Sequence, residues 1–240
     1  MNTAYNNLKF RHELKFMINR HQYFIIRQRL KNLVRPDKYA STNGEYHIRS
    51  LYFDDYENSA LSEKLGGFRD RHKYRIRVYN RSDRLILFEK KIKCGDYIAK
   101  LKEPLDRDMY EAILNGNYEV LHQPDNPFAM ELYLEMKQHL LRPRVIVDYV
   151  REPYVCENGN VRITFDKELR TGLHATDLFD QSLNPVPALD EQHIIMEVKY
   201  DEYLPEYIKA AVQMEGLHQQ AASKYVICCK YLKNNNWEDQ

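Results

Sequence analysis

The chain has 240 residues, 43% of them hydrophobic and 30% charged, which is ordinary for a globular protein able to bury a sizeable core. Its formal net charge of +1 gives no general attraction to nucleic acid, and no apolar run approaches the roughly 18 residues of a membrane-spanning helix. Four cysteines without CxxC or metal-ligand spacing, two of them the neighbours Cys228 and Cys229, suit reduced thiols used for packing better than a disulfide framework.

The N-terminal MNTAYNNLKFRHELKF lacks the apolar run of a signal peptide, so a cytoplasmic location is expected. FRHELKFMI alternates as a strand, with Phe10, His12, Leu14 and Phe16 on one face and Arg11, Glu13 and Lys15 on the other. NRHQYFIIRQRLKNLVRP predicts an amphipathic helix capped by Asn19 and ended before Pro36. A turn at Gly44 leads into the strand EYHIRSLYFDD, whose Ser50, Tyr52 and Asp54 share one face. YENSALSEKLGG follows as a short helix stopped by Gly66 and Gly67.

Residues 71–102 carry 11 Lys and Arg against 3 acids, so the rest of the chain sums to about −7. KYRIRVYN and LILFEKKIKCGDYIAKLK predict strands around the turn Asn80-Arg81-Ser82-Asp83. Alternation puts Arg75 and Arg77 on one face, matched on the next strand by Leu87, Glu89, Lys91 and Lys93. Ile76, Val78, Ile86, Phe88 and Ile92 take the apolar face, which only Lys90 interrupts.

EPLDRDMYEAILNGN predicts a helix capped at Asp106, and DNPFAMELYLEMKQHLL a longer one opened by Asn126-Pro127. PRVIVDYVREPYV and NVRITFDKEL form a strand pair joined by a turn containing Asn158-Gly159. Tyr149 and Arg151 share a face, as do Arg162, Thr164 and Asp166. Residues 175–192 are the best loop candidate. HIIMEVKYDEYLP is a strand with Glu197 and Lys199 together, followed by a helix from Pro205 through Met214. HQQAASKYVICCKYLKNNNWEDQ reads as a helix fraying into a polar tail. No repeat or flexible linker divides the chain, so residues 1–240 are expected to form a single domain.

About eight strands thus carry a charged face. A solvated sheet accounts for this, and so does a barrel with a polar interior, which at eight strands is wide enough for a small ligand. In a barrel the basic lumen requires an anion, because an unpaired buried cation costs several kcal/mol. A mixture of Arg and Lys suits a chain of phosphates, and the interleaved Glu13, Glu89 and Glu197 suit a divalent metal shared with those phosphates.

The ordered pieces RHELKF, IRSLYFDD, KYRIRVY, LFEKKIK, VDYVREPY, VRITFD, IIMEVKY and ASKYV resemble the bacterial VTC-domain, or polyphosphate polymerase domain, proteins. These are relatives of the catalytic subunit of the yeast vacuolar transporter chaperone complex, within the CYTH or triphosphate tunnel metalloenzyme superfamily. The resemblance implies an α+β fold, an eight-stranded antiparallel β-barrel or tunnel with a basic lumen covered by helices. It implies phosphate-binding roles for Lys15, Lys91, Lys100, Tyr149, Lys199, Ser223 and Lys224, and charge stabilisation by Arg75, Arg77, Arg151 and Arg162. Glu197 resembles the metal-binding glutamate, with Glu13 and Glu89 as further candidates for Mn²⁺ or Mg²⁺. Lys102 shares the parity of Lys100 and leaves that assignment open. Arg11 stands where the wider superfamily carries a first glutamate, which weakens the case for a two-metal hydrolase.

The function implied is phosphotransfer from ATP or another triphosphate to polyphosphate. The alternatives are hydrolysis of tri- or polyphosphate, and non-catalytic polyphosphate or nucleotide sensing. Polyphosphate or pyrophosphate would be the partner, nucleic acid would not, and any coupling to a membrane would need a separate membrane protein. No HExxH or paired ligand spacing appears among the nine histidines, and Gly66-Gly67 lacks the following Lys-Ser/Thr of a P-loop.

Overall fold

A computed structural model describes residues 8–235. Strand β1 (Arg11–Asn19) runs directly into helix α1 (Arg20–Leu30). Asn19 closes one and caps the other: its side chain accepts from the Gln22 amide, and the Gln22 side chain accepts from the Asn19 amide. There follow β2 (Arg35–Pro36), β3 (Tyr46–Asp54), α2 (Ser59–Leu65), β4 (Arg71–Tyr79), β5 (Ser82–Cys94) and β6 (Tyr97–Leu105). After α3 (Arg107–Leu114), capped by Asp106, and α4 (Pro127–Gln138), capped by Asn126, come β7 (Arg142–Cys156), β8 (Val161–Thr171) and β9 (Val186–Pro187). Strand β10 (His193–Tyr200), α5 (Glu206–Val212) and α6 (Lys224–Asn235) complete the chain.

Eight of the strands close a barrel in the order β7-β3-β4-β5-β6-β1-β10-β8, with β8 pairing back onto β7 and every neighbour antiparallel. Strands β2 and β9 are short additions outside this ring. The joints are unequal. β1 and β10 align from His12↔Tyr200 to Asn19↔His193, whereas β1 meets β6 only at Arg11↔Ile98 and His12↔Tyr97.

Apolar side chains from the outer face of the barrel make two cores. Leu51, Phe53, Ile76, Phe88 and Ile146 are buried under α3 and α4, and Ile163, Phe165, Met196 and Val198 under α1 and α5. Two cations on this face are paired, Lys90 with Glu131 of α4 and Arg49 with Asp148. His12 stacks on Tyr200, and His47 pairs with Asp148, both away from the lumen. A third core differs in kind. There Tyr225, Val226, Cys228 and Cys229 of α6 pack on Val145, Val147 and Ile195, which lie on the same strand faces as Arg151 and Glu197. Helix α6 therefore closes part of the bore rather than covering its outside.

Three expectations need correction. The segment LILFEKKIKCGDYIAKLK is two strands, because Gly95 turns the chain at φ +56, a left-handed conformation that glycine adopts without strain. The last helix begins at Lys224, not at His218. Residues 218–223 run extended, with Gln219 bridged to Phe16 and the Gln220 amide donating to the Lys15 carbonyl at 2.8 Å. The strand from His193 ends at Tyr200. The polar tail expected at 236–240 lies outside the described residues, as do residues 1–7.

Candidate functional site

Inside the barrel lies a cavity of about 840 Å³. Fifteen of its lining side chains are Lys or Arg and two, Glu13 and Glu197, are carboxylates, so its field favours an anion strongly. Strand alternation builds it. Arg11, Glu13 and Lys15 come from β1, Arg71, Lys73, Arg75 and Arg77 from β4, Lys91 and Lys93 from β5, and Glu197 and Lys199 from β10.

Four buried carboxylates organise the cations. Asp166 holds Arg151 in a fork, accepting from Nε at 2.6 Å and Nη2 at 2.7 Å, and also meets Lys224 Nζ at 2.5 Å. Glu197 accepts from Lys224 at 2.8 Å and Lys199 at 2.7 Å, with Lys15 at 3.1 Å. Glu13 lies 2.8 Å from Lys91, 3.3 Å from Lys199 and 3.5 Å from Lys15. Glu89, wholly buried, accepts from Arg75 through one oxygen at 2.7 Å and from Lys100 through the other at 2.6 Å. Burial works to raise the pKa of each, but the surrounding ammonium and guanidinium groups outweigh it. All four are held below the ordinary carboxylate range, Glu13, Glu89 and Glu197 well below it.

Hydroxyl groups hold the arginines from the other side. Arg75 donates to the Tyr52 hydroxyl at 2.8 Å, Arg77 to Ser50 at 3.1 Å and to Tyr149 at 3.3 Å. Arg162 donates to Tyr46 at 2.9 Å and pairs with Asp37 at 2.8 Å.

The structure brings Arg75, Arg77, Arg151, Arg162, Lys15, Lys91, Lys100, Tyr149, Lys199, Ser223, Lys224, Glu13 and Glu197 to this one cavity. Lys102 is exposed and does not line it. Glu89 sits behind the lining, with both oxygens engaged by Arg75 and Lys100. Sequence reasoning gave no role to Lys64, Arg71, Lys73 and Lys93, which also line the cavity, or to Asp37 and Asp166. Strand parity with Arg75 and Lys91 marks Arg71, Lys73 and Lys93. Nothing local marks Lys64, on α2, or Asp37, in the loop after β2.

Glu13 and Glu197 share the ammonium groups of Lys15 and Lys199, so they are neighbours in the lumen. Two carboxylates in a cavity that favours an anion fit Mg²⁺ or Mn²⁺, hard cations that take carboxylate and phosphate oxygens together. Among the described residues no group of three His, Cys, Asp or Glu forms a closed metal cage. Such a cation would depend on substrate oxygens to complete its shell.

The fold is a closed antiparallel barrel whose cation-lined bore encloses a place for an anion. The chain belongs to the VTC domain family, whose model matches residues 10–233. No curated protein matches it in sequence. Among solved structures it is similar to a Hippeastrum protein described as a candidate adenylyl cyclase with a dominant triphosphatase activity. That match has 12% identity and a TM-score of 0.55 over 92% of this chain and 95% of that one. It is also similar to a candidate adenylate cyclase from Vibrio parahaemolyticus, at 12% identity and a TM-score of 0.51, covering 91% and 97%. Likeness at this identity shows a shared fold.

Proposed function

We propose that the chain transfers the terminal phosphoryl group of a nucleoside triphosphate such as ATP to a polyphosphate chain held in the barrel, with Mg²⁺ or Mn²⁺ as cofactor. The observation that carries this reading is the composition of the lining. Fifteen cations are met by six carboxylates, Glu13, Asp37, Glu89, Asp166, Glu197 and Asp201, and the excess of about nine positive charges is more than one triphosphate group neutralises and suits a longer polyanion.

The reaction breaks the bond between the terminal phosphorus and its bridging oxygen and forms one to an oxygen of the acceptor chain; the nucleoside diphosphate leaves. No side chain need act as nucleophile. Arg75, Arg77, Arg151 and Arg162 are already fixed by carboxylates and hydroxyls, so they stabilise charge on the transferred group without reorganising. Lys15, Lys91, Lys100, Lys199 and Lys224, with Tyr149 and Ser223, align donor and acceptor within the bore. Glu197 and Glu13 would hold the metal, which supplies Lewis-acid neutralisation of phosphate charge.

Purified protein incubated with ATP and Mn²⁺ or Mg²⁺ should yield phosphate chains that grow with time when products are separated by size. Release of phosphate or pyrophosphate alone would make water the acceptor and the protein a triphosphatase, the activity described for the Hippeastrum relative in fold. Tight polyphosphate binding without turnover would make it a sensor.

A further inference from the structure

The fifteen cations of the cavity fall into two populations. Around Glu13, Glu89, Asp166 and Glu197 each lysine and arginine has a carboxylate partner; Arg162 has Asp37, and Lys9 and Arg11 have Asp201. Lys64, Arg71, Lys73 and Lys93 have none within ion-pair distance among the described residues. Glu63 is near enough for Arg71 to feel its charge but makes no pair with it.

These four are not scattered. Arg71 lies opposite Lys93 in the β4–β5 ladder, Lys73 lies opposite Lys91, and Lys64 ends the helix that leads into β4. Their hydrogen bonds are weak substitutes for ion pairs. Lys73 reaches Ser223 Oγ at 3.2 Å and sits 4.7 Å from the Tyr225 ring centroid, Arg71 donates to the Phe68 carbonyl, and Lys93 to that of Gly95. Burial and the neighbouring Lys15, Arg71 and Lys64 push the Lys73 ammonium down to about 7, so the group lacks an anion electrostatically as well as geometrically.

We propose that Lys64, Arg71, Lys73 and Lys93 form a second phosphate subsite, which takes the distal part of a polyphosphate chain and sets the length of chain the protein holds tightly. The proposal rests on the polyphosphate reading above. Continuity supports a chain rather than a separate small anion. Lys73 is in register with Lys91 and bonded to Ser223, beside Lys224, so a phosphate leaving the carboxylate-framed section meets these cations next. A subsite without carboxylates offers nothing to a divalent metal, so binding there should be metal-independent.

Calorimetry in EDTA with tripolyphosphate and with chains of several tens of phosphates tests this without turnover. Wild-type protein should hold the long chain more tightly, and the double variant Lys73→Gln/Lys93→Gln should lose about tenfold or more for the long chain only. Its salt dependence for the long chain should also flatten. Lys64→Gln, at a half-exposed helix position, should narrow the same difference in a protein whose fold is undisturbed. Equal loss for both ligands, no loss for either, or equal wild-type affinity for both would overturn the subsite. Absence of chain growth from ATP, with length-dependent binding intact, would overturn the polymerase reading alone.

Discussion

Lys73 shows how a single side chain reports on the whole cavity. Its folded pKa of about 7 lies below the roughly 10.4 of an unfolded lysine, so its charged form is disfavoured by folding. The folded state therefore loses stability on its account as pH falls from the unfolded value to about 7, and the penalty is fully present below that. A polyanion beside Lys73 restores the charged form, so binding between those pH values takes up a proton. Calorimetry of chains of several tens of phosphates at pH 8, in buffers of different ionisation enthalpy, should show net uptake, and Lys73→Met should reduce it. Buffer-independent heats would contradict the assignment. Parity alone makes Lys73 legible as a lumen residue, because it lies two positions from Arg75. Its lack of a partner depends on where Ser223 and Lys15 fall, at long sequence distance. Asp37 is illegible for a similar reason: it meets Arg162 only through the pairing of β2 with β7.

Among the elements, α6 departs most from a simple reading. Its sequence repeats apolar residues as an ordinary covering helix would, yet it packs on bore-facing strand residues. The hydroxyl of Tyr225 donates to Asp54, and Asp54 also accepts from the Ala60 amide at 2.9 Å and the Leu61 amide at 3.2 Å. One carboxylate therefore anchors both α6 and the first turn of α2. Tyr225→Phe should lower stability by about 1.5–3 kcal/mol, the worth of a hydrogen bond to a charged group, read as a drop in the thermal midpoint. The ring would still stack on Tyr52, centroids 5.1 Å apart, so tripolyphosphate affinity should be largely kept. An unchanged midpoint would show that the hydroxyl does not anchor the helix. The strands and capped helices are legible because their signals are local: alternation, Asn19, Asp106 and Asn126. The late start of α6 is not, because Gln219 and Gln220 bond their backbone to Phe16 and Lys15 of β1, at long sequence distance, instead of extending the helix.

Taken whole, the molecule holds a cationic interior in balance with too few acids. Ligands that bind only the folded state stabilise it by mass action, by about 2.7 kcal/mol at a hundredfold excess over the dissociation constant. For a chain of this size that is about 5–10 °C in thermal midpoint. Tripolyphosphate should therefore raise the midpoint by that order even in EDTA, and the effect should shrink with added salt. A neutral phosphate triester should leave it unchanged; a polyanion that produced no shift would mean that the cavity is not its binding place. The barrel's closure is legible as a use for so many charged strand faces, whereas the choice between enclosed and solvated faces depends on pairings such as β7 with β8 that no local signal fixes.

The joint between β1 and β6 gives this interior a mechanical side. With only two residue pairs between them, the wall there relies on side chains, and Glu13 of β1 reaches across to Lys91 of β5, inside the bore. A phosphate that draws Lys91 to itself draws it away from Glu13. Cargo and clasp compete for one ammonium group, so the barrel is laced most tightly along that line when empty, and filling it slackens the lace.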